Sequence, residues 1–348
     1  MKSIQIQDKM IGTGFPCFIV AEAGVNHNGK LDLAKKLIDV AVAARADAVK
    51  FQTFIAEGVV TSGTELADYA KNNIGKNMKQ IDMLKKYELD YDDFIILKEY
   101  CDNKHIIFLS SPHSFDAIDF LQDLVPAYKF GSGDLTNMPA LQYAAKKNKP
   151  LILGTGMATL EEIKSAIRAI TSVGNNKIVV LHCTTSYPCP YEDVNLHAMM
   201  TMQQQLDCLV GYSDHTMGLL VPPLAVTLGA TIIEKHFTLD KKLSGPDHKA
   251  SLEPDELAEM IRQIRDVEKI LGSSEKKPTD SEKTIMKSVR KSIIAGNNIR
   301  KDEIIKKEML MVKRPGTGIS PADIDKIIGR KTKKDITIDE ILRWDMVE

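Results

Sequence analysis

The chain has 348 residues, of which 43% are hydrophobic and 27% are charged, and its formal net charge is −1. This composition is ordinary for a soluble globular protein. With a net charge so close to zero, the chain has no overall electrostatic field that would attract nucleic acid or a membrane surface. Five cysteines without a C-x-x-C spacing argue against a disulfide framework or a zinc knuckle, so we expect reduced thiols in a cytoplasmic protein. The sequence shows no signal-peptide core and no apolar run of about 20 residues, the length that a membrane span needs.

Short β-rich segments alternate with amphipathic segments eight times. The strand candidates are Phe18–Ala23, Ala48–Thr53, Ile106–Ser110, Ala127–Phe130, Leu151–Gly154, Ile178–His182, Val210–Ser213 and Thr231–His236. The helical candidates between them include Leu31–Ala44, Phe115–Leu124 and Leu160–Val173. Thr159 and Glu162 form a capping-box pattern before the last of these helices. The order predicts a (β/α)8 TIM barrel, since a doubly wound sheet would normally have fewer strands and a glycine-rich first turn.

The pattern divides the chain into a barrel at residues 1–272, a linker at 273–285 and a small domain at 286–348. Residues 56–86 form a long insertion after the second strand, which predicts a loop with a short helix over the barrel mouth. The linker follows from a stretch without apolar residues, GSSEKKPTDSEKT, at 272–284. In the small domain, glycine and proline interrupt short apolar runs. This predicts a β-rich module with helical turns at 321–328 and 338–342.

Polar side chains stand at the C-terminal ends of nearly all predicted strands, where a TIM barrel has its active site. Charged groups inside a barrel are costly without partners, so the joint pattern indicates function rather than packing. The strand-end residues are Glu22, Lys50, Gln52, Ser111, Lys129, Ser132, Asp134, Thr155, His182, Thr185, Tyr187, Ser213, His215, Glu234 and His236.

Three subsets of these residues suggest chemistry. Lys50 and Lys129, together with serine hydroxyls, suit a small dianion such as a phosphate ester, although structural ion pairs are the alternative. His215 and His236 end adjacent strands and could share one metal ion, although two separate hydrogen-bonded histidines are the alternative. Mixed nitrogen and oxygen ligation would suit manganese or magnesium better than zinc. Glu22 could act as a general base or neutralise a lysine.

Seven motifs that run in order through most of the chain resemble the sialic acid synthase family. They are IVAEAGVNHNG (19–29), VKFQTF (49–54), KFGSGD (129–134), GYSDHT (211–216), IEKHFTLD (233–240), SGPDHKASLEP (244–254) and KRPGTGISP (313–321). The resemblance implies a TIM barrel followed by a small β-rich antifreeze-like domain (SAF, β-clip). It also implies a homodimer in which the antifreeze-like domain of one chain caps the barrel of the other.

The resemblance, with the strand-end pattern, assigns a role to most of the candidate residues. The residues expected to bind phosphoenolpyruvate are Lys50, Ser111, Lys129, Ser132, Thr155, Thr185 and Ser213. The residues expected to contact the acceptor sugar are Gln52, Asp134, Tyr187, Asp247 and Arg314. His215 and His236 would hold a divalent metal ion, Mn²⁺ or Mg²⁺. Glu22 would be the carboxylate base, and Arg314 would reach the substrate of the partner subunit; these two and the lysine pair are the expected catalytic residues.

Four positions depart from the family pattern. The common S-T-G-M is G-T-G-M at 154–157, which removes one phosphate-facing hydroxyl. The usual S-T-P-F is S-S-P-H at 110–113, and Thr185 replaces an asparagine of bacterial neuraminate-type relatives. These departures leave the reaction class intact but leave the acceptor sugar open.

The implied function is a metal-dependent condensation of phosphoenolpyruvate with N-acetylmannosamine, which gives N-acetylneuraminate and phosphate. One alternative uses 2,4-diacetamido-2,4,6-trideoxymannose and gives N,N'-diacetyllegionaminate. A second alternative is an aldolase with Lys50 or Lys129 as a Schiff-base nucleophile. A third is a glycan- or surface-binding protein without catalysis.

Overall fold

The structure is a computed structural model that describes residues 3–66 and 78–348. These residues divide into two compact units, with the division between Gly272 and Ser273. None of the described helices combines the length and the apolar composition that crossing a membrane requires.

The larger unit begins with an antiparallel hairpin of two strands, β1 (Ser3–Ile6) and β2 (Lys9–Gly12). Eight parallel strands follow: β3 (Phe18–Gly24), β4 (Ala48–Thr53), β5 (Ile107–Pro112), β6 (Tyr128–Phe130), β7 (Leu151–Gly154), β8 (Ile178–His182), β9 (Leu209–Asp214) and β10 (Ile232–His236). Their order in the sheet is β5-β4-β3-β10-β9-β8-β7-β6. Because β10 pairs with β3, the sheet curves into a nearly closed barrel. The predicted TIM barrel is confirmed.

Helices follow the strands, as a TIM barrel requires. Their bounds are α1 (Leu31–Ala43), α2 (Ala56–Val59), α3 (Gln80–Tyr87), α4 (Tyr91–Asn103), α5 (Phe115–Phe120), α6 (Met138–Ala145), α7 (Leu160–Thr171), α8 (Leu196–Gln205), α9 (Val221–Thr227) and α10 (Pro254–Leu271). The capping box of Thr159 and Glu162 at the start of α7 is present. The predicted insertion at 56–86 contains α2 and α3, and its residues 67–77 lie outside the described residues.

An apolar cluster fills the barrel at the N-terminal ends of its strands. Its strand residues are Phe18, Val20, Ala48, Ile107, Leu109, Ala127, Ile152, Val179, Leu181, Leu209 and Ile232. Ile6 and Ile11 of the N-terminal hairpin join this cluster and are fully buried. The hairpin therefore closes the N-terminal end of the barrel, a role that the sequence pattern did not predict.

The smaller unit contains α11 (Asp280–Val289), β11 (Ser292–Ala295), β12 (Leu310–Lys313) and α12 (Ile324–Ile327). The predicted linker at 273–285 is helical from Asp280 onward, because Thr279 and Glu282 form a capping box that begins α11. The predicted helical turn at 338–342 is wrong, since Ile341 pairs with Ile294 of β11 in an isolated bridge. Ile293 of β11 and Leu342 of that segment are buried in one small core.

Candidate active site

The barrel interior changes from apolar to polar along individual strands. Alternate residues of a strand face the same side, so Ile232, Glu234 and His236 of β10 follow one another inside the barrel. On β4, Ala48 and Lys50 do the same. Ile232 and Ala48 belong to the apolar cluster, whereas the residues after them begin a polar layer. The C-terminal ends of the strands therefore carry the candidate site, as predicted for this fold.

Two lysines and two glutamates form a buried charge network in this polar layer. The Lys50 Nζ lies 2.7 Å from Glu22 Oε2 and 3.7 Å from Glu234 Oε2. The Lys129 Nζ lies 3.3 Å from Glu234 Oε1, which also accepts a hydrogen bond of 3.0 Å from the Ser213 hydroxyl. All four charged side chains are at most 5% exposed. Glu234 thus bridges the two lysines. The sequence places this residue at a strand end but predicts no role for it.

The two glutamates have opposite protonation preferences. Burial raises the pKa of Glu22 to about 7, since Lys50 offsets only part of the cost of desolvation. Burial also acts to raise the pKa of Glu234, but Lys129 and Lys50 outweigh it and lower that pKa to about 2. Burial acts to lower the pKa of Lys50, but the carboxylates of Glu22 and Glu234 outweigh it and raise that pKa. Near neutral pH, Glu234 therefore stays ionised while Glu22 can take up or release a proton.

The predicted phosphate-facing hydroxyls differ in how they are engaged. The Ser111 hydroxyl accepts a hydrogen bond of 3.3 Å from Lys50 and lies in the charge network. The Ser132 hydroxyl accepts a hydrogen bond of 3.0 Å from the Gly156 amide. The Thr155 hydroxyl donates to the Leu181 carbonyl at 2.9 Å, so its proton is already used within the barrel wall. The Ser132 hydroxyl also lies 3.2 Å from the Cys183 Sγ, and either group can donate in that contact. Ser111 can therefore donate to an anion, and Ser132 can do so when the Cys183 thiol is the donor, whereas Thr155 cannot in this conformation.

The glycines of the G-T-G-M segment bring other hydroxyls together. A Cβ added at Gly156 would overlap Thr185 Oγ1 and would lie 2.9 Å from Ser132 Oγ, so both hydroxyls crowd this backbone. A Cβ added at Gly154 would lie 3.1 Å from both the amide and the hydroxyl of Ser132. The departure from S-T-G-M at Gly154 therefore lets the Ser132 loop approach β7 closely.

His215 and His236 lie side by side at the ends of β9 and β10, with ring centroids 5.7 Å apart. The His215 Nδ1 donates to the Thr184 carbonyl at 2.7 Å, which leaves Nε2 as the lone-pair nitrogen, 3.1 Å from the Tyr187 hydroxyl. The His236 Nδ1 is buried without a hydrogen-bond partner among the described residues. Burial lowers the pKa of both imidazoles, and His215 and Lys50 lower that of His236 further.

These two neutral imidazoles fit a divalent metal ion. Neutral nitrogen is the ligating form of histidine, and the unpartnered His236 nitrogen needs a partner. Within residues 3–66 and 78–348, no group of three or more histidine, cysteine, aspartate or glutamate side chains is arranged to hold a metal. A bound ion would therefore keep several positions for water and substrate, as in an open catalytic site.

A cleft of about 230 Å³ opens beside His236, and its lining combines polar residues with an apolar cluster. The polar lining residues are Gln52, Gln80, His113, Tyr187, His236 and Asp247. The apolar lining residues are Val25, Phe54, Val59, Met83, Leu84 and Tyr87, mostly from the insertion and α3. Burial raises the pKa of Asp247 to about 6. The cleft lies next to the charge network, because Gln52 donates to Glu22 at 3.3 Å.

The structure brings most predicted residues together, with two exceptions. The Asp134 Oδ2 lies 3.7 Å from the His113 Nδ1, so it reaches the edge of the cleft only through that histidine. Arg314 lies in the smaller unit, where it directly follows β12 and is exposed. The sequence predicts no site role for His113, which differs there only from the usual family pattern. Its place three residues after Ser110, the last predicted residue of that strand, is the feature that could have indicated one.

Two family models and several known relatives match most of the chain. The NeuB family model matches residues 37–276, and the SAF domain model matches residues 290–348. The N,N'-diacetyllegionaminic acid synthase of Legionella pneumophila is 46% identical over 342 residues, which cover 97% of this chain and 96% of that protein. The N-acetylneuraminate-9-phosphate synthase of Homo sapiens is 36% identical, with 98% of this chain and 95% of that protein covered.

A solved structure supports the same assignment. The N-acetylneuraminic acid (sialic acid) synthetase of Leptospira borgpetersenii, crystallised with citrate, superposes with a TM-score of 0.72 at 35% identity. The match covers 82% of this chain and 95% of that chain. With a barrel, a SAF domain and relatives of this similarity, the chain belongs to the NeuB family and is an enzyme of the sialic acid synthase type.

Proposed function

We propose that the protein condenses phosphoenolpyruvate with 2,4-diacetamido-2,4,6-trideoxymannose to give N,N'-diacetyllegionaminate and phosphate. The observation that carries the reaction class is the buried Lys50–Glu22–Glu234–Lys129 network beside two neutral histidines. The choice of acceptor rests on the greater identity to the legionaminic acid synthase, 46%, than to the neuraminate-type relative, 36%. N-acetylmannosamine, the first choice from the sequence, becomes the alternative.

The apolar lining of the cleft supports this choice of acceptor. A 6-deoxy sugar has a methyl group where N-acetylmannosamine has a hydroxymethyl group. Val59, Met83 and Leu84 offer apolar surface to such a methyl group. Gln52 and Asp247, which line the same cleft, offer hydrogen-bonding groups for the acetamido and hydroxyl substituents.

The charge network suits phosphoenolpyruvate. Lys50 and Lys129 would bind its phosphate and carboxylate groups, and the Ser111 and Ser132 hydroxyls would donate further hydrogen bonds. The ionised Glu234 pairs with both lysines and orients them in a site from which water is largely excluded. Such fixed charges stabilise the developing negative charge of the leaving phosphate.

Glu22 is the proposed proton carrier. Carbon 3 of phosphoenolpyruvate forms a bond to the acceptor aldehyde carbon, and the positive charge that develops at carbon 2 is captured by water. Glu22 accepts one proton of that water, and the aldehyde oxygen, which received the electron pair of the broken C=O π bond, takes up a proton and becomes a hydroxyl. The bond between carbon 2 and the phosphate oxygen then breaks, carbon 2 becomes a ketone, and the proton of its hydroxyl leaves with phosphate. A pKa of about 7 suits this task, since proton transfer is most effective when the pKa is near the working pH. A divalent ion, Mn²⁺ or Mg²⁺, held by His215 and His236 would supply Lewis-acid polarisation of the aldehyde.

The swapped homodimer and the role of Arg314 remain part of the proposal. The resemblance to the family supports them, and the exposed position of Arg314 leaves its guanidinium available for substrate oxygens. If Arg314 serves the partner's site, the inactive variants Arg314→Ala and Glu22→Ala should complement each other after subunit exchange. Random exchange makes half of the dimers hybrid, each with one complete site, so about a quarter of wild-type activity should return. Proven exchange without activity would contradict this role.

The deciding experiment measures phosphate release from phosphoenolpyruvate with each acceptor sugar in turn. We expect kcat/KM to be larger for 2,4-diacetamido-2,4,6-trideoxymannose than for N-acetylmannosamine. A preference for N-acetylmannosamine would contradict the choice of acceptor but not the reaction class. Activity that persists in excess chelator, with covalent trapping by borohydride, would instead support the Schiff-base aldolase. Sugar binding without turnover would support the non-catalytic alternative.

A further inference from the structure

A fully buried ion pair lies in the barrel wall, outside the network described above. The Lys235 Nζ lies 2.5 Å from Asp214 Oδ2, and both side chains are 0% exposed. The two residues are direct cross-strand partners on β10 and β9. The proposed reaction uses neither of them, so their burial needs a separate explanation.

The register of the two strands places this pair next to the histidines. Glu234 is opposite Ser213, and the hydrogen bond between them lies inside the barrel. Because side chains alternate along a strand, the next pair, Lys235 and Asp214, faces outward toward the helices. The residues after them, His236 and His215, face inward again. An outward ion pair therefore directly precedes the inward histidine pair on both strands.

Further hydrogen bonds connect Asp214 to the chain on either side of His215. Its Oδ1 accepts from the Tyr212 hydroxyl at 3.0 Å and from the Thr216 amide at 3.1 Å. Its Oδ2 accepts from the Thr216 hydroxyl at 3.0 Å. Lys235 in turn donates to the Thr216 carbonyl at 2.5 Å. The backbone at 214–216, which carries His215, is thus held to the strand that carries His236.

Stability alone does not account for such a pair. Apolar residues of similar volume often serve a buried position equally well, because desolvation of two charges offsets most of their attraction. A charged pair does, however, select one register: a slip of one strand by one residue would turn its charge toward the other face and leave both charges unpaired. The pair therefore enforces the alignment on which the separation of His215 and His236 depends.

We propose that Asp214 and Lys235 are positioning residues that set the spacing and orientation of His215 and His236 toward a divalent ion. This inference rests on the metal site of the proposed function. Residues that lie behind metal ligands commonly hold those ligands in the right orientation. Their loss costs about 10–100-fold in metal affinity.

The test measures Mn²⁺ binding to the metal-free protein by the loss of the free Mn²⁺ signal in electron paramagnetic resonance. Lys235→Met should weaken Mn²⁺ binding by about tenfold or more. The matched control is Ile232→Ala, which destabilises the same strand at its other end and should leave the Mn²⁺ affinity unchanged. Urea unfolding in EDTA reports the stability of each variant, so that a loss of folding is not mistaken for a loss of positioning.

A milder variant covers the case in which Lys235→Met does not fold. Thr216→Val removes one hydrogen bond to Asp214 and keeps the ion pair, and it should weaken Mn²⁺ binding measurably but by less than Lys235→Met. Wild-type affinity in the folded variants, or an equal loss in Ile232→Ala, would overturn the positioning role. Wild-type protein that binds no Mn²⁺ would overturn the metal site itself, and the inference with it.

Discussion

The two halves of the barrel interior are built from the same strands but have opposite chemistry. At the N-terminal end, residues such as Val20 and Ile232 pack in an apolar cluster that the N-terminal hairpin closes. At the C-terminal end, Glu22 and Glu234, two positions further along the same strands, join the charge network. Burial is similar, with Ile232 at 0% and Glu234 at 4% exposure.

This difference shows that burial does not by itself make a region a stabilising core. Burial of the apolar half releases water from nonpolar surface and favours folding. Burial of the polar half desolvates charges, a cost that partner charges only partly offset. We therefore expect substitutions in the apolar half to change the free energy of unfolding, and substitutions in the polar half to change catalysis.

The largest expected effect is at the histidine pair. His236→Ala or His215→Ala should lower kcat by about 10³-fold or more, because the lost Lewis-acid interaction contributes several kcal/mol. Phosphate release measures the rate, and chelation of the wild-type enzyme should reproduce the loss until Mn²⁺, Mg²⁺ or Co²⁺ is added back. Full activity in excess chelator would contradict the assignment.

The apolar half offers the opposite case. Ile232→Ala should lower the free energy of unfolding by roughly 2–5 kcal/mol, the usual cost of a large cavity in a core. The KM for each substrate should not change, because the residue lies below the polar layer. Urea unfolding and steady-state kinetics check both parts. A large change in KM with little change in stability would remove the distinction between the two halves.

The two lysines should separate the substrates. Lys50→Met or Lys129→Met removes a charge and keeps the length of the side chain. Each should reduce kcat/KM for phosphoenolpyruvate by a factor that corresponds to roughly 2–4 kcal/mol of lost transition-state stabilisation. Glu22 can take up a proton when Lys50 is lost, so the variant should still fold. The apparent affinity for the acceptor sugar should change much less. An equal loss for both substrates would reassign the lysines to a structural role.

The smallest effect is a pH dependence of stability from Asp247. Burial raises its pKa from 3.8 to about 6, so the folded state holds this proton more tightly than the unfolded state. The cost of ionising Asp247 in the folded state therefore lowers the free energy of unfolding more and more as pH rises from about 4 to about 6. Above that window the cost is about 3 kcal/mol. Between pH 5 and pH 7.5, the free energy of unfolding of Asp247→Asn should rise relative to wild type by about 1–2 kcal/mol.

Urea unfolding in EDTA at the two pH values measures this difference. The raised pKa of Glu22 acts in the same direction in both proteins and cancels when they are compared. The same offset between wild type and variant at both pH values would show that the Asp247 pKa is not raised in the folded protein.

Local pattern was sufficient for much of the fold. The bounds of β4, β7 and β8 agree with the predicted strands residue for residue, because β-branched runs between helical segments are a short-range signal. The predicted linker carries the same kind of short-range signal, the capping box of Thr279 and Glu282, and its residues from Asp280 onward are the first part of α11. Short-range signals failed at Ile341, whose bridge to Ile294 joins distant parts of the chain.

The sequence by itself determined the eight strands, the family motifs and the identity of the polar residues at the barrel mouth. Only the tertiary structure decided which of these residues meet. It made Glu234 the bridge between two lysines, directed the Thr155 hydroxyl to Leu181 and joined Asp214 to Lys235. The reason is physical: side-chain identity and alternation are local properties, whereas the partner of a buried charge depends on the register between strands that are far apart in the chain or separated by a helix.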